Sequence, residues 1–196
     1  MGRAAAPCYR SGRESAALRN CLHPSKISRR NRTRERISGK DGQSFIVRRA
    51  RIGARVPKIT VHNLQRAVRI DVDDLENFAA EALRRCLQLR KNKRTDLTKT
   101  REIFILFISD RRMASLHRRF LHQSGSTDVL TFQHGEIFVS TETARRQARV
   151  FGNSLARELR LYIVHGLLHL HGLDDRSEAD ARRMKATQEK ILAAAS

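Results

Sequence analysis

The chain has 196 residues, with 40 Lys and Arg against 20 Asp and Glu and a net charge of +20. That length holds one domain of ordinary size with an extension, and excludes two full enzyme domains. The charge predicts a polyanionic partner, with RNA ahead of an anionic membrane. The lack of any run of roughly 18 apolar residues, or of a short apolar core behind the first basic residues, predicts a soluble, cytoplasmic protein.

Residues 1–56 carry 15 Lys and Arg and only three acidic residues. Gly, Ser, Arg and Pro are spread through the segment with no period of 2 or 3.6, so it is expected to be a disordered basic extension. It reads either as an arm that grips phosphate or as a solvated stretch with no role of its own, such as a translated upstream sequence. An organelle transit peptide ranks lower, because no clear amphipathic helix is present. Cys8, Cys21 and Cys86 are odd in number and widely scattered. They offer neither a disulfide framework nor a Cys-x-x-Cys knuckle, so any metal site must use histidine and carboxylate.

The pattern changes at residue 57, where a single domain spanning 57–196 is expected to begin. Ile59 to Asn63 alternates apolar and polar residues, as a half-buried strand does. Asp71 to Arg90 places Leu75, Phe78, Ala79, Ala82, Leu83, Cys86 and Leu87 at helical spacing behind an acidic first turn. A polar connection follows. Ile103 to Ile108 is then too short for a core helix and rich in β-branched and aromatic residues, so it predicts a buried strand. Asp110 is placed to cap a helix containing Met113, Leu116 and Phe120. Asp128–Phe132 and Glu136–Ser140 read as two strands of a hairpin turned through Gln133, His134 and Gly135. Helices at about 141–151, 154–171 and 177–194 complete an α+β (or mixed α/β) domain with one small mixed sheet packed against helices.

The chemistry concentrates in Val164-His-Gly-Leu-Leu-His-Leu-His-Gly-Leu-Asp-Asp175. On a helix, His165 and His169 stand four residues apart and leave the same face, so both imidazoles can converge on one cation. Two ligands do not close a site. A third must come from beyond Gly172, whose left-handed freedom would turn the chain back at the helix C-terminal end and bring in Asp174 or Asp175. His171 is two residues from His169 and points to the other side. With Gly166 where a zinc protease of the His-Glu-x-x-His type has its glutamate, peptide hydrolysis by that route is disfavoured.

These residues resemble the YbeY family of metal-dependent endoribonucleases, which act in rRNA maturation and ribosome quality control. The family's His-Gly-x-Leu-His-Leu-x-Gly-x-Asp-His is matched by His165–Asp175 everywhere except its last place. Met113, Leu116, Phe120 and Thr127–Phe132 resemble a second block, and Gly135–Ser140 a third; together they cover about 59–192. The resemblance implies one Zn²⁺ or another divalent ion held by His165, His169 and Asp175. It also implies single-strand-specific endoribonuclease activity in small-subunit rRNA 3′-end maturation, and rRNA and the small ribosomal subunit as partners. The departures are Asp175 for the third histidine, Leu121 for an arginine suspected of phosphate contact, His117 for an asparagine and Ser126 for a proline. Arg118 and Arg119 are the candidates to supply phosphate charge, and Asp128, Thr127 and His134 to orient the substrate. A second reading is a ribosome assembly factor with a structural metal, in which His171 or Asp174 would close a four-ligand site.

Overall fold

The computed structural model describes residues 56–89 and 95–195. The expectation of a disordered extension over 1–56 therefore falls, apart from Val56, outside the described residues. The elements run β1 (Lys58–Asn63), α1 (Val72–Gln88), α2 (Asp96–Lys99), β2 (Glu102–Ile108), α3 (Asp110–Leu121), β3 (Val129–Thr131), β4 (Glu136–Ser140), α4 (Thr141–Phe151), α5 (Leu155–Leu170) and α6 (Glu178–Ala195).

The strands form one mixed sheet in the order β1-β2-β4-β3. β1 and β4 both run parallel to β2, and β3 pairs antiparallel with β4 through Leu130 opposite Phe138. The α+β class with a single small mixed sheet is thus the observed one. The β3–β4 hairpin turns where Phe132–Gly135 predicts: the Gly135 amide donates to the Phe132 carbonyl at 3.0 Å, and Gly135 takes φ 106°.

Alternation along each strand decides the core. Ile103, Ile105 and Phe107 of β2 join Val61, Ile137 and Val139 on one face, beneath α1, α5 and α6. Each fully buried Ile, Leu or Phe there contributes about 1.5–3 kcal/mol by leaving water. The opposite face is less completely covered: Phe104 and Leu106 are half-buried, and α3 supplies Met113 against Ile108, Leu130 and Phe138. The β2 run is therefore an alternating strand with one fully covered face, although its composition reads as continuously buried.

Three local details differ from the sequence reading. The helix expected over Asp71–Arg90 spans Val72–Gln88, with Asp71 as its N-cap, whose side chain accepts from the Asp74 amide. The polar connection holds the one-turn helix α2, closed by a reciprocal capping box between Thr95 and Thr98. Ser109, and not Asp110, caps α3. The Asp110 carboxylate instead accepts from Ser140 Oγ, from Thr143 Oγ1 at 2.8 Å and from Arg146 Nη1 at 2.5 Å, tying the start of α3 to the β4–α4 junction. Those bonds hold its carboxyl below the usual carboxylate value: burial pushes it up, but the bonds from Ser140, Arg146 and Thr143 outweigh burial.

Candidate metal centre

α5 begins at Ser154, whose hydroxyl accepts from the Arg157 amide at 3.1 Å. It crosses the covered face of the sheet as the most buried helix of the core. Arg160 fastens it to α1: its Nη2 donates to both oxygens of Asp74 at 2.9 Å, and its guanidinium lies 5.2 Å from the centre of the Phe78 ring. Gly166 lets the helix approach β3 and β4 closely beside Ile137 and Thr131. The side chain of His165, one residue earlier, is therefore placed by backbone packing.

The C-terminal end of α5 is a Schellman turn. The Leu173 amide donates to the Leu168 carbonyl at 2.9 Å and the Gly172 amide to the His169 carbonyl at 2.7 Å, with Gly172 at φ 83°. An L side chain at that φ would be strained, which gives the glycine its physical reason. The turn sends the chain back along the helix end and brings Asp175 to the two histidines.

One ligand atom from each of His165, His169 and Asp175 lies within 4.8 Å of the others. The two Nε2 atoms are 3.0 Å apart with the rings nearly perpendicular, and His165 Nε2 is 4.0 Å from Asp175 Oδ2. Ligand atoms about 2.0–2.1 Å from one tetrahedral ion lie roughly 3.4 Å from each other. The observed spacings bracket that value, so the donor set fits a divalent ion.

The protonation chemistry agrees. His169 Nδ1 lies 3.2 Å from the Leu173 carbonyl oxygen, which can only accept, so Nδ1 carries the proton and Nε2 presents its lone pair to the cluster. Burial lowers the His169 pKa to about 4 and His165 adds to the effect, against the upward pull of Asp175, the Leu173 carbonyl and Asp128. Neutral imidazole is the ligating form.

Of the remaining sequence candidates, Asp128 lies near the cluster, since its charge acts on His169. Its Oδ1 accepts from Thr127 Oγ1 at 3.0 Å and from the Val129 amide at 2.9 Å. Both Asp128 and Thr127 line a cavity of about 360 Å³ between the α3–β3 loop and α4, α5 and α6. His134 lies elsewhere, on a separate cavity of about 980 Å³ with Lys58, Lys99 and Arg101. Arg118 and Arg119 are exposed in the last turn of α3, where Arg119 lies over the Phe120 ring at 5.6 Å. Leu121 packs with Ile108, Met113 and Leu130 and so contributes nothing polar. Asp174 is already engaged: its Oδ1 accepts from the Asp175 amide and its Oδ2 from Arg176 Nε at 2.5 Å. His171 is the buried C-cap of α5 and lies outside the cluster.

Two features escape the sequence reading. Thr131 Oγ1 is buried beside Gly166 with no hydrogen-bond partner among the described residues. Glu158, in the first turn of α5, is only 3% exposed and lines the 360 Å³ cavity. The sequence shows Glu158 only as an acid at a helix N-terminus, which the dipole alone accounts for.

Fold and cluster together define an α+β domain whose central helix ends in a His-His-Asp set of metal-ligand type. The sequence pattern described as Endoribonuclease YbeY matches residues 60–196, and the chain belongs to the YbeY family. Three proteins named Endoribonuclease YbeY illustrate the likeness. That of Synechococcus sp. (strain CC9605) is 42% identical over 101 residues, covering 44% of this chain and 61% of its own length. That of Thermus thermophilus is 37% identical over 103 residues, 46% of this chain and 74% of its own length. That of Myxococcus xanthus is 35% identical over 104 residues, 46% of this chain and only 35% of its own length. A solution structure of a Thermotoga maritima protein superposes with a TM-score of 0.49 at 24% identity, over 68% of this chain and 86% of the other. No helix among the described residues is long and apolar enough to cross a membrane.

Proposed function

We propose that the chain is a metal-dependent endoribonuclease that cuts single-stranded RNA in rRNA processing, including small-subunit rRNA 3′-end maturation and ribosome quality control, in the cytoplasm. The observation that carries the reading is the convergence of His165, His169 and Asp175 at the end of α5 in a chain of this family with a net charge of +20.

His165 and His169 through Nε2 and Asp175 through a carboxylate oxygen would hold one divalent ion, zinc first. Such an ion supplies Lewis acidity to a phosphodiester oxygen and lowers the pKa of water at an open position. The chain's own groups set the conditions. The Leu173 carbonyl fixes the His169 ring by holding its Nδ1 proton, and burial keeps that ring neutral, so proton competition for Nε2 is weak near neutral pH. Asp175 in place of a third imidazole adds one negative charge, which favours harder ions relative to the family pattern. Asp128, held by Thr127 and the Val129 amide, is positioned at the edge of the neighbouring cavity to accept a hydrogen bond from substrate. The exposed Arg118 and Arg119 supply positive charge for phosphate.

A structural-metal assembly factor would need a fourth protein ligand. The bonds Asp174 makes to Arg176 and the Asp175 amide, and the place of His171 outside the cluster, favour the open site and hence the enzyme. The test is cleavage of a single-stranded rRNA fragment by the purified chain, chelated and then reloaded with zinc, manganese or magnesium. Cleavage restored by an ion and abolished by His165→Ala, with RNA affinity within a few-fold of wild type, is the expected result. A fully loaded wild type that cuts no RNA under any of the three ions overturns the reading in favour of the assembly factor.

A further inference from the structure

The positive charge of the described residues is spread unevenly over the helices. α1 and α6 lace theirs with acids: Arg84 and Arg85 both pair with Glu81, and Arg182 pairs with Glu178. α3 and α4 together carry seven arginines, all exposed, against only Asp110 and Glu142. Both acids are engaged within the fold. Ser140, Thr143 and Arg146 hold the Asp110 carboxylate, and Glu142 Oε2 accepts from the Asp110 amide at 2.7 Å. Of the seven arginines, Arg146 alone makes an ion pair among the described residues.

Helix formation does not account for this charge. Arg118 and Arg119 suit the C-terminal end of α3, but Arg111 and Arg112 stand in its first turn, where the dipole repels cations. Arg145 and Arg149 stand four residues apart on α4, a like-charge spacing that weakens a helix. No acid lies three or four residues from Arg149, and Glu142, three before Arg145, is turned to Asp110. Around α4, Arg145, Arg149, Arg146 and Val150 occupy the exposed side, opposite Ala144 and Ala148 in the core.

The fold sets this face beside the site. The Asp110 bonds to Ser140, Thr143 and Arg146 hold the start of α3 against the start of α4, so Arg111 and Arg112 join the arginines of α4. On the flank of α4, Thr143, Gln147 and Phe151 line the 360 Å³ cavity together with Asp128, whose charge acts on His169. The cavity itself mixes Asp128, Glu158 and Glu189 with Lys185 and an Arg157 already paired with Glu189, and so offers phosphate no net attraction. Complementarity to a polyanion lies on the helices outside it.

We infer that the exposed side of α4, with the first turn of α3, is a phosphate-binding track for RNA beyond the cleavage site, anchored by Arg145 and Arg149. Their spacing sets the two residues about 6 Å apart along the helix axis, and each guanidinium can meet a phosphate in forked geometry. The occupant is RNA backbone and not a membrane surface, because the apolar side of α4 is buried in the core and only Val150 and Phe151 stay exposed for insertion. Such contacts position a strand and carry no base sequence. The inference rests on the endoribonuclease reading for its choice of polyanion.

The test uses the full chain treated with chelator, so that binding is read without cleavage. A fluorescein-labelled single-stranded RNA of about twenty nucleotides, longer than one single-strand site, is titrated across a salt series. Arg145→Gln with Arg149→Gln should lower the slope of log affinity against log salt by about 1.4 units, two phosphate contacts at about 0.7 each. Arg182→Gln with Arg183→Gln, which takes the same charge from exposed positions on α6, should leave the slope near that of wild type. An unchanged slope in the α4 variant, or an equal loss in the α6 variant, overturns the track, the second result reducing it to general charge attraction. The urea midpoint of the α4 variant should stay at or above that of wild type, since a like-charge pair is removed; a clear fall would assign the two arginines to the fold. If the α4 variant does not fold by circular dichroism, Arg111→Gln with Arg112→Gln decides in its place, with the same loss expected against the same control. Loss of binding to phosphatidylserine vesicles with the RNA slope unchanged identifies a membrane face and overturns the track. Metal-loaded chain separates the two readings. A slope lowered in a chain that cuts no RNA keeps the track and removes the enzyme, whereas cleavage with a slope that the α4 variant leaves unchanged does the reverse.

Discussion

The backbone of Gly166 lies so close to Ile137 that a Cβ on the glycine would stand 2.5 Å from the Ile137 Cγ2 methyl and 3.1 Å from Cδ1. Cγ2 belongs to a β-branched side chain fully buried in the sheet, and it cannot swing away. Gly166→Ala gains about 1 kcal/mol of helix propensity, against an overpacking cost of about 1–3 kcal/mol. Net stability should therefore fall by up to about 2 kcal/mol. Metal affinity should fall more clearly, because moving α5 off β4 carries His165 and His169 with it. Urea denaturation and a zinc titration read the two effects; unchanged zinc affinity would show that the contact does not position the histidines.

Metal content follows from the ligand set. Wild type should hold about one divalent ion per chain, and His169→Ala should lose most of it, since two ligands bind such an ion weakly. Asp175→His should still bind, with stronger preference for zinc over manganese or magnesium. Asp175→Ala with metal content equal to wild type in elemental analysis would move the third ligand to Asp174 or His171.

The Asp110 network predicts an acid-sensitive contribution to stability. The folded pKa of Asp110 lies below its ordinary 3.8. The contribution is therefore complete above the unfolded value and is lost as pH falls through the folded one. Asp110→Asn, which removes the charge that Arg146 and the two hydroxyls stabilise, should cost about 1–2 kcal/mol at pH 7. Its urea midpoint should approach that of wild type as pH falls below the carboxylate range. A gap between the two midpoints that stays constant from pH 7 to pH 2.5 would refute this account.

RNA affinity should separate from chemistry. Arg118→Ala with Arg119→Ala should lower the slope of log affinity against log salt by up to about two units if both touch phosphate. A chain beginning at Pro57 should fold, bind metal and cleave, with weaker RNA binding and a shallower salt slope, because the family match starts at residue 60. Loss of the folded circular dichroism spectrum in that truncation would place part of the domain before Pro57.

The core helices and the metal cluster are legible in the sequence because their signals are local. Seven apolar positions at helical spacing announce α1, and His165, His169, Gly172 and Asp175 lie close enough for helix and turn geometry to predict their convergence. α2 stays hidden because its capping box is one turn of polar residues inside a charged connection. Asp110 reads as the cap of α3 because Ser109 and Asp110 are equally good caps, and only the long-range bonds to Ser140, Thr143 and Arg146 separate them. α3 ends at His122 in the left-handed region, φ 56°, with no glycine there to announce the stop. The 360 Å³ cavity cannot be read at all, because its walls come from four separated segments, and Glu158 carries no pattern marking it as buried.

The Schellman turn also decides when the site can assemble. Its three ligand residues span eleven consecutive positions, so closing them around an ion restricts a very short loop, and the entropy of that closure is small. Little else in the domain has to be remade. The ligand set can therefore come together with the turn itself, without any distant segment of the chain. Leu167, Leu168, Leu170 and Leu173 pack into the same core as the sheet, so the helix end and turn that carry the ligands are held by apolar packing before any ion adds to it.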